Sequence, residues 1–293
     1  MTDLLPADSL RGVRVGISAS ESPDLPRLGL SESHFRLALA EIARRVLVAG
    51  GTLAYGGHLD PDGYTTFLLE EIQRYGARKD RPLTVFLAWS EHRRMALSKL
   101  REYRRLYGLY VSLHCLDPKG DAIEPGTGRG EDPVPEGDPQ VVRAALTAMR
   151  HRMREETQGR VVLGGRRAVF LGEIPGVMEE VVVGLEGETP QPLYLSGGFG
   201  GITVDILRAL RIDEVSWLPV LPNPAPEDPQ LAEGRRRLEA IANGPDWRGL
   251  VNGLTPDETH RLAATHRPGE IADLVVLGLG RRSATNTAAS AEK

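Results

Sequence analysis

Three short runs in the second half of the chain carry the residue types of a phosphate site. They are Gly164-Gly165-Arg166-Arg167, Pro175-Gly176-Val177-Met178-Glu179-Glu180 and Ser196-Gly197-Gly198-Phe199-Gly200-Gly201. A glycine-bearing turn between an apolar run and a helical pattern can present backbone N–H groups to an anion at a helix amino terminus. Glu179 and Glu180 fall just inside the helix opened by Pro175-Gly176, where a carboxylate could face a ribose or a glycosidic bond beside a bound phosphate. Acids in a helix's first turn are also favoured by the macrodipole alone, so a structural role competes with the chemical one. Arg166 or Arg167 could clamp a second phosphate in a bidentate manner, or pair with acids of the loop over 117–140.

The elements that must position these groups alternate between strand and helix. Residues 13–18 read as a strand, followed by a polar loop and a pattern that puts Phe35, Leu39, Ile42 and Val46 on one helical face. Residues 51–55 repeat the unit, closed by Gly56-Gly57-His58 and followed by a helix with Tyr64, Phe67, Leu68, Ile72 and Tyr75 on one side. Residues 83–89 and 109–115 are further strand candidates flanking a very basic helix over 91–107. More follow at 160–163, 168–171, 191–195 and 214–220. Helices are expected over 139–156 with Asp138 as cap, over 230–242, and over 255–265 with Thr255 as cap. Such alternation implies right-handed crossovers and an α/β fold: a Rossmann-like, mainly parallel sheet with helices on both faces.

In a sheet of this kind ligands bind beyond the carboxyl ends of the strands. That rule adds Ser18 and Ser20 after the first strand and Gly56, Gly57 and His58 after the second to the three runs above. Phe199 is placed to stack on a base. With no second histidine at ligand spacing, His58 does not indicate a zinc site. There is no P-loop, and no Gly-x-Gly-x-x-Gly follows the first strand, which disfavours ATP hydrolysis by a P-loop and a dinucleotide dehydrogenase.

At 293 residues, 41% hydrophobic and 26% charged, the chain has the composition of an ordinary globule. A net charge of −4 argues against a nucleic-acid polymer as partner. No run of about 18 apolar residues suggests a membrane span, and residues 1–10 lack the layout of a secretory signal, so a cytoplasmic setting is expected. Lysine stands only at Lys79, Lys99, Lys119 and Lys293; the arginine runs read as solvated helix faces. Cys115, the one cysteine, ends an apolar strand and reads as an inert core thiol. Residues 117–140 lose all periodicity and hold five prolines and five glycines. One domain over 1–279 is therefore expected, with a flexible insertion at about 117–138, open to use as a lid, and a disordered tail over 280–293.

A first strand ending in serines, a second ending Tyr55-Gly56-Gly57, and the Pro175-Gly176-Val177-Met178-Glu179-Glu180 helix start together resemble the SLOG superfamily. That superfamily includes the LOG phosphoribohydrolases and the DNA-processing Smf/DprA proteins. With Gly164-Gly165-Arg166 and the Ser196–Gly201 run included, the chain looks most like the TIR- and PNP-associating SLOG branch, linked to bacterial anti-phage and nucleotide signalling; the resemblance covers about 13–210. In LOG enzymes the helix opens Pro-Gly-Gly-x-Gly-Thr-x-x-Glu, with glycines and threonine on phosphate and the glutamate serving N-glycosidic cleavage. Here Glu180 takes the glutamate position, Val177 stands for the threonine, and Glu173 and Ile174 replace the preceding glycines. The resemblance therefore implies a sensor of a nucleotide or of an NAD-derived, ADP-ribose-like nucleotide, working with a TIR-domain or other effector as a homo-oligomer and needing no cofactor. The alternatives are a nucleotide N-glycosidase using Glu180, and an assembly platform without a small-molecule site.

Overall fold

The structure is a computed structural model that describes residues 8–75, 81–135, 137–187, 189–218 and 227–291. Seven strands form one sheet in the order β5-β4-β3-β2-β1-β6-β7. They are β1 (Arg14–Ser20), β2 (Thr52–Gly56), β3 (Leu83–Leu87), β4 (Val111–Leu116), β5 (Ala122–Ile123), β6 (Gly159–Gly164) and β7 (Leu193–Ser196). All pairings are parallel except the short β4–β5 contact at the edge. The chain builds outward from β1 to β4, then returns to place β6 and β7 on the other side of β1. Chain order thus reverses between β1 and β6, where an open α/β sheet leaves its ligand crevice.

The strand period of two sends successive side chains to opposite faces. Leu53, Tyr55, Val161 and Leu163 join the core under α1 (Glu32–Val48) and α2 (Tyr64–Tyr75). Ala54 and Phe86 face the other way, onto α5 (Pro139–Glu155) beside α3 (Trp89–Arg93), while α4 (Leu97–Tyr107) sends Leu97 and Leu100 into the first core. Val162, Leu193 and Leu195 meet α6 (Gly176–Leu185), α7 (Ile202–Ala209) and α8 (Pro229–Ala242) on that second face. Thr255 caps α9 (Pro256–Ala264) in a reciprocal box with Glu258. The chain closes with α10 (Pro268–Ala291), whose Ile271, Val275 and Leu279 join the first core.

Several expectations change in three dimensions. The basic helix over 91–107 is two helices, α3 and α4, separated at residues 94–96. Residues 168–171 form no strand: β6 is already flanked by β1 and β7, and Val169 has φ 56°, outside the extended region. Residues 214–218 form a turn, Val215 having φ 54° and its N–H donated to Asp213 Oδ1 at 2.5 Å; the rest of that expected strand lies outside the described residues. The tail is helical through Ala291, held in part by Arg281, which pairs with Glu258 at 2.6 Å.

The described residues of the insertion over 117–138 make contacts with α3 and α4. Leu97 N–H donates to Glu131 O and Val134 N–H to Arg93 O. Arg129 donates to the carbonyls of His92 and Met95. Its acids pair with the basic helix, Arg101–Glu131 at 2.7 Å and Arg104–Glu124 at 2.9 Å.

His92, under this insertion, is fully buried; its Nε2–H donates to Leu116 O at 3.0 Å. Burial pushes its pKa down to about 4 from an ordinary 6.5. Between those values the unfolded chain binds a proton that the folded chain refuses, so stability falls as pH drops from 6.5 toward 4. Urea midpoints measured across that interval are expected to change less with pH in His92→Gln; an unchanged slope would contradict the assignment. Cys115 is buried as well, and burial pushes its thiol up to about 11, which leaves it inert at neutral pH.

Candidate ligand site

A cavity of about 630 Å³ opens at the switch point, within the range that suits a small ligand. Ser20 and Glu21 reach it from the end of β1, and Gly56, Gly57 and His58 from the end of β2. Residues 169–172 form its rim, with Val169 90% exposed. Gly176, Val177 and Glu180 of α6 enter from one face of the sheet, and Arg36 and Tyr64 from the other. Among the described residues, none of 117–138 lines it.

Glu180 is anchored from below. Its Oε2 accepts from Arg160 Nη1 at 2.5 Å and from the Ser18 hydroxyl, while Oε1 has no hydrogen-bond partner among the described residues. Arg160, on β6, is fully buried and also donates from Nε to Gln191 Oε1 at 3.2 Å. Burial draws the Arg160 pKa down and the Glu180 charge opposes it; a guanidinium remains charged in any case. Ser18 is therefore beneath the site, holding Glu180, and does not face the cavity.

Glu179 turns away from the cavity. It accepts from Arg150 Nη1 at 2.5 Å and from the Thr147 hydroxyl. That pairing holds Arg150, which is buried at the cavity wall with an Nε that has no partner among the described residues. No side chain caps the first turn of α6, and its Gly176 lies so near Arg150 that an added Cβ would sit 2.9 Å from Nη2. An open helix amino terminus with a guanidinium beside it is an arrangement that binds phosphate or carboxylate. Pro175 serves as the cap position of that helix.

The glycine run after β7 has a different job from the one its composition suggested. Ser196 and the whole of 197–201 are buried, and none lines the cavity. The Gly201 N–H donates to Asp24 Oδ2 at 2.8 Å, so a carboxylate of the chain occupies the amino terminus of α7. Arg167 is spent there too, donating to Asp24, Asp205 and Gly201 O. Burial raises the Asp24 pKa, but Arg167 and the Gly201 N–H outweigh it and hold the carboxyl below its ordinary value.

Close packing explains these glycines. An added Cβ at Gly197 would sit 2.5 Å from Ala263 O, at Gly198 2.1 Å from Thr265 O, and at Gly200 2.4 Å from Asp24 Cβ. Gly164 and Gly165 are likewise pressed against Ser20 O and Ile202. Phe199 is fully buried, edge-on to Phe35, and does not line the cavity. Arg166 does reach the cavity, paired with Glu21 at 2.7 Å.

At the other wall, His58 Nδ1 lies 3.0 Å from Asp60, and Tyr64 donates to Glu32 at 2.7 Å beneath the Arg36 guanidinium. Tyr55 donates to Ala19 O at 3.1 Å. Burial raises both phenols above their ordinary value, helped at Tyr55 by the Glu180 charge and at Tyr64 by Glu32, so both stay protonated. Sequence reading missed Arg150, Arg160 and the two tyrosines. Arg150 had a signal: it lies on the apolar stripe of α5 with Leu146, Met149 and Met153, where a solvated arginine does not belong.

Residues 9–262 match the family model described as SLOG cluster2. Neither the curated proteins nor the solved structures contain a match. With the match spanning most of its length, together with the switch-point crevice and the Glu180-bearing helix, the chain belongs to the SLOG family, in SLOG cluster2.

Proposed function

We propose that the protein binds a nucleotide or an NAD-derived, ADP-ribose-like nucleotide in the switch-point cavity, as a sensor or signalling component of a bacterial defence or stress system. SLOG membership suggests a nucleotide-related function. The observation that carries the reading is the division of the cavity. Arg150 and the uncapped α6 terminus on one face of the sheet suit a phosphate, while Glu32, Asp60 and Tyr64 on the other suit ribose hydroxyls and a base. A TIR-domain or other effector as partner, homo-oligomerisation and a cytoplasmic setting belong to the same proposal, on the resemblance to the TIR- and PNP-associating branch.

The test is calorimetry with AMP, NAD, ADP-ribose and cyclic ADP-ribose isomers, followed by chromatography of the heat-released ligand. One intact nucleotide is expected in the bound fraction. Arg150→Lys, which keeps the charge for Glu179 but loses the planar fork, is expected to bind it at least about tenfold more weakly. Binding of none of these compounds would overturn the proposal.

A second reading, nucleotide N-glycosidase, is favoured by one detail. Glu180 lines the cavity and is held through Oε2, leaving Oε1 without a hydrogen-bond partner among the described residues, as a carboxylate stabilising an oxocarbenium-like transition state would be. It requires free base in the supernatant, abolished in Glu180→Gln with binding retained.

A further inference from the structure

We infer that the protein has a second ligand site, for a small phosphate-bearing molecule, at the opposite end of the sheet. A cavity of about 590 Å³ lies there, between the start of β1, the end of α5, the approach to β7 and α10. Its charged lining consists of Arg11, Arg154 and Arg282, and no carboxylate lines it among the described residues.

Arg11 is neutralised by Asp8 at 2.8 Å. The other two guanidiniums have no acidic partner among the described residues. Arg154 donates from Nη2 to the carbonyl of Thr189 at 2.8 Å, and among the described residues it pairs with no acid and its buried Nε has no partner. Arg282 has no hydrogen bond or ion pair among the described residues, and its Nε is buried as well. Two half-buried guanidiniums, each with a buried Nε that has no partner among the described residues, line one cavity, and an anion there would complete them. A phosphate dianion matches two guanidinium forks in charge and geometry.

The volume exceeds that of a lone phosphate, and Val13, Pro190, Pro192 and Leu279 supply apolar wall for the rest of the ligand. The neighbouring polar groups are less available: Gln158 Oε1 accepts from the Arg14 N–H, and Gln191 Nε2 donates to Thr157. Recognition therefore falls to the arginines and to shape. Gln191 also touches the Arg160 guanidinium that holds Glu180, so a continuous polar path joins the floors of the two cavities through the sheet.

The test is calorimetric titration of the full chain with pyrophosphate at low salt, for the wild type, Arg282→Gln and Arg154→Gln, each checked for an unchanged thermal midpoint. Saturable binding by the wild type, weakened about tenfold or more in both variants and by added salt, is expected. Absence of binding in the wild type, or binding untouched in both folded variants, overturns the second site. Neither result depends on a nucleotide occupying the switch-point cavity.

Discussion

Glu180→Ala is expected to lower folding stability by about 3–5 kcal/mol, because it leaves a buried guanidinium without its counter-ion. The Arg160 side chain is 1% exposed and Glu180 10% exposed, so the guanidinium has no access to bulk water while the pair is in place. Ser18 loses its acceptor as well, and Arg160 Nη2 is already without a partner among the described residues. Glu180→Gln keeps an acceptor for Arg160 and Ser18 and is expected to cost less. Replacing the pair together, Arg160→Met with Glu180→Leu, is expected to recover most of the loss, since apolar side chains of similar volume often substitute for a buried ion pair at little cost. Urea denaturation of the three variants decides this. A Glu180→Ala protein within about 1 kcal/mol of wild type would show that the pair does not hold the site together. The same result governs functional assays: only Glu180→Gln separates the chemistry of the carboxylate from its anchoring of α6 to β1 and β6.

Gly201→Ala is expected to cost about 3 kcal/mol or more, as backbone strain and overpacking add. Gly201 has φ 71° and ψ −161°, a combination open essentially to glycine alone. A Cβ there would lie 2.5 Å from the Gly164 carbonyl carbon and 2.7 Å from Gly165 O, both backbone atoms that cannot swing aside. The control is Gly269→Ala in the first turn of α10, where an added Cβ meets nothing within 4 Å; it is expected to be neutral or stabilising by up to about 1 kcal/mol. Ligand affinity of the folded fraction is expected to be unchanged in Gly201→Ala, since the loop lines no part of the cavity. A stable Gly201→Ala protein that had lost its ligand would reverse that assignment and return the loop to the binding site.

The sequence by itself determined the alternation of strand and helix, the position of β1 to β4, β6 and β7 to within a few residues, and the placing of a carboxylate inside the first turns of α6. Those features are local: apolar period, capping residues and turn formers act over a few positions, and are visible wherever the chain is later sent. Only the tertiary structure decided which glycines line the cavity. Gly176 and Gly201 both open helices, yet one is left uncapped beside Arg150 and the other is filled by Asp24, 177 residues away in the chain. It also decided between two adjacent acids, sending Glu180 to the cavity over Arg160 and Glu179 to the back of Arg150. These outcomes depend on charges contributed by separate elements. A glycine's local signature is the same whether its N–H meets a phosphate or a carboxylate of its own chain, and only packing determines which anion arrives.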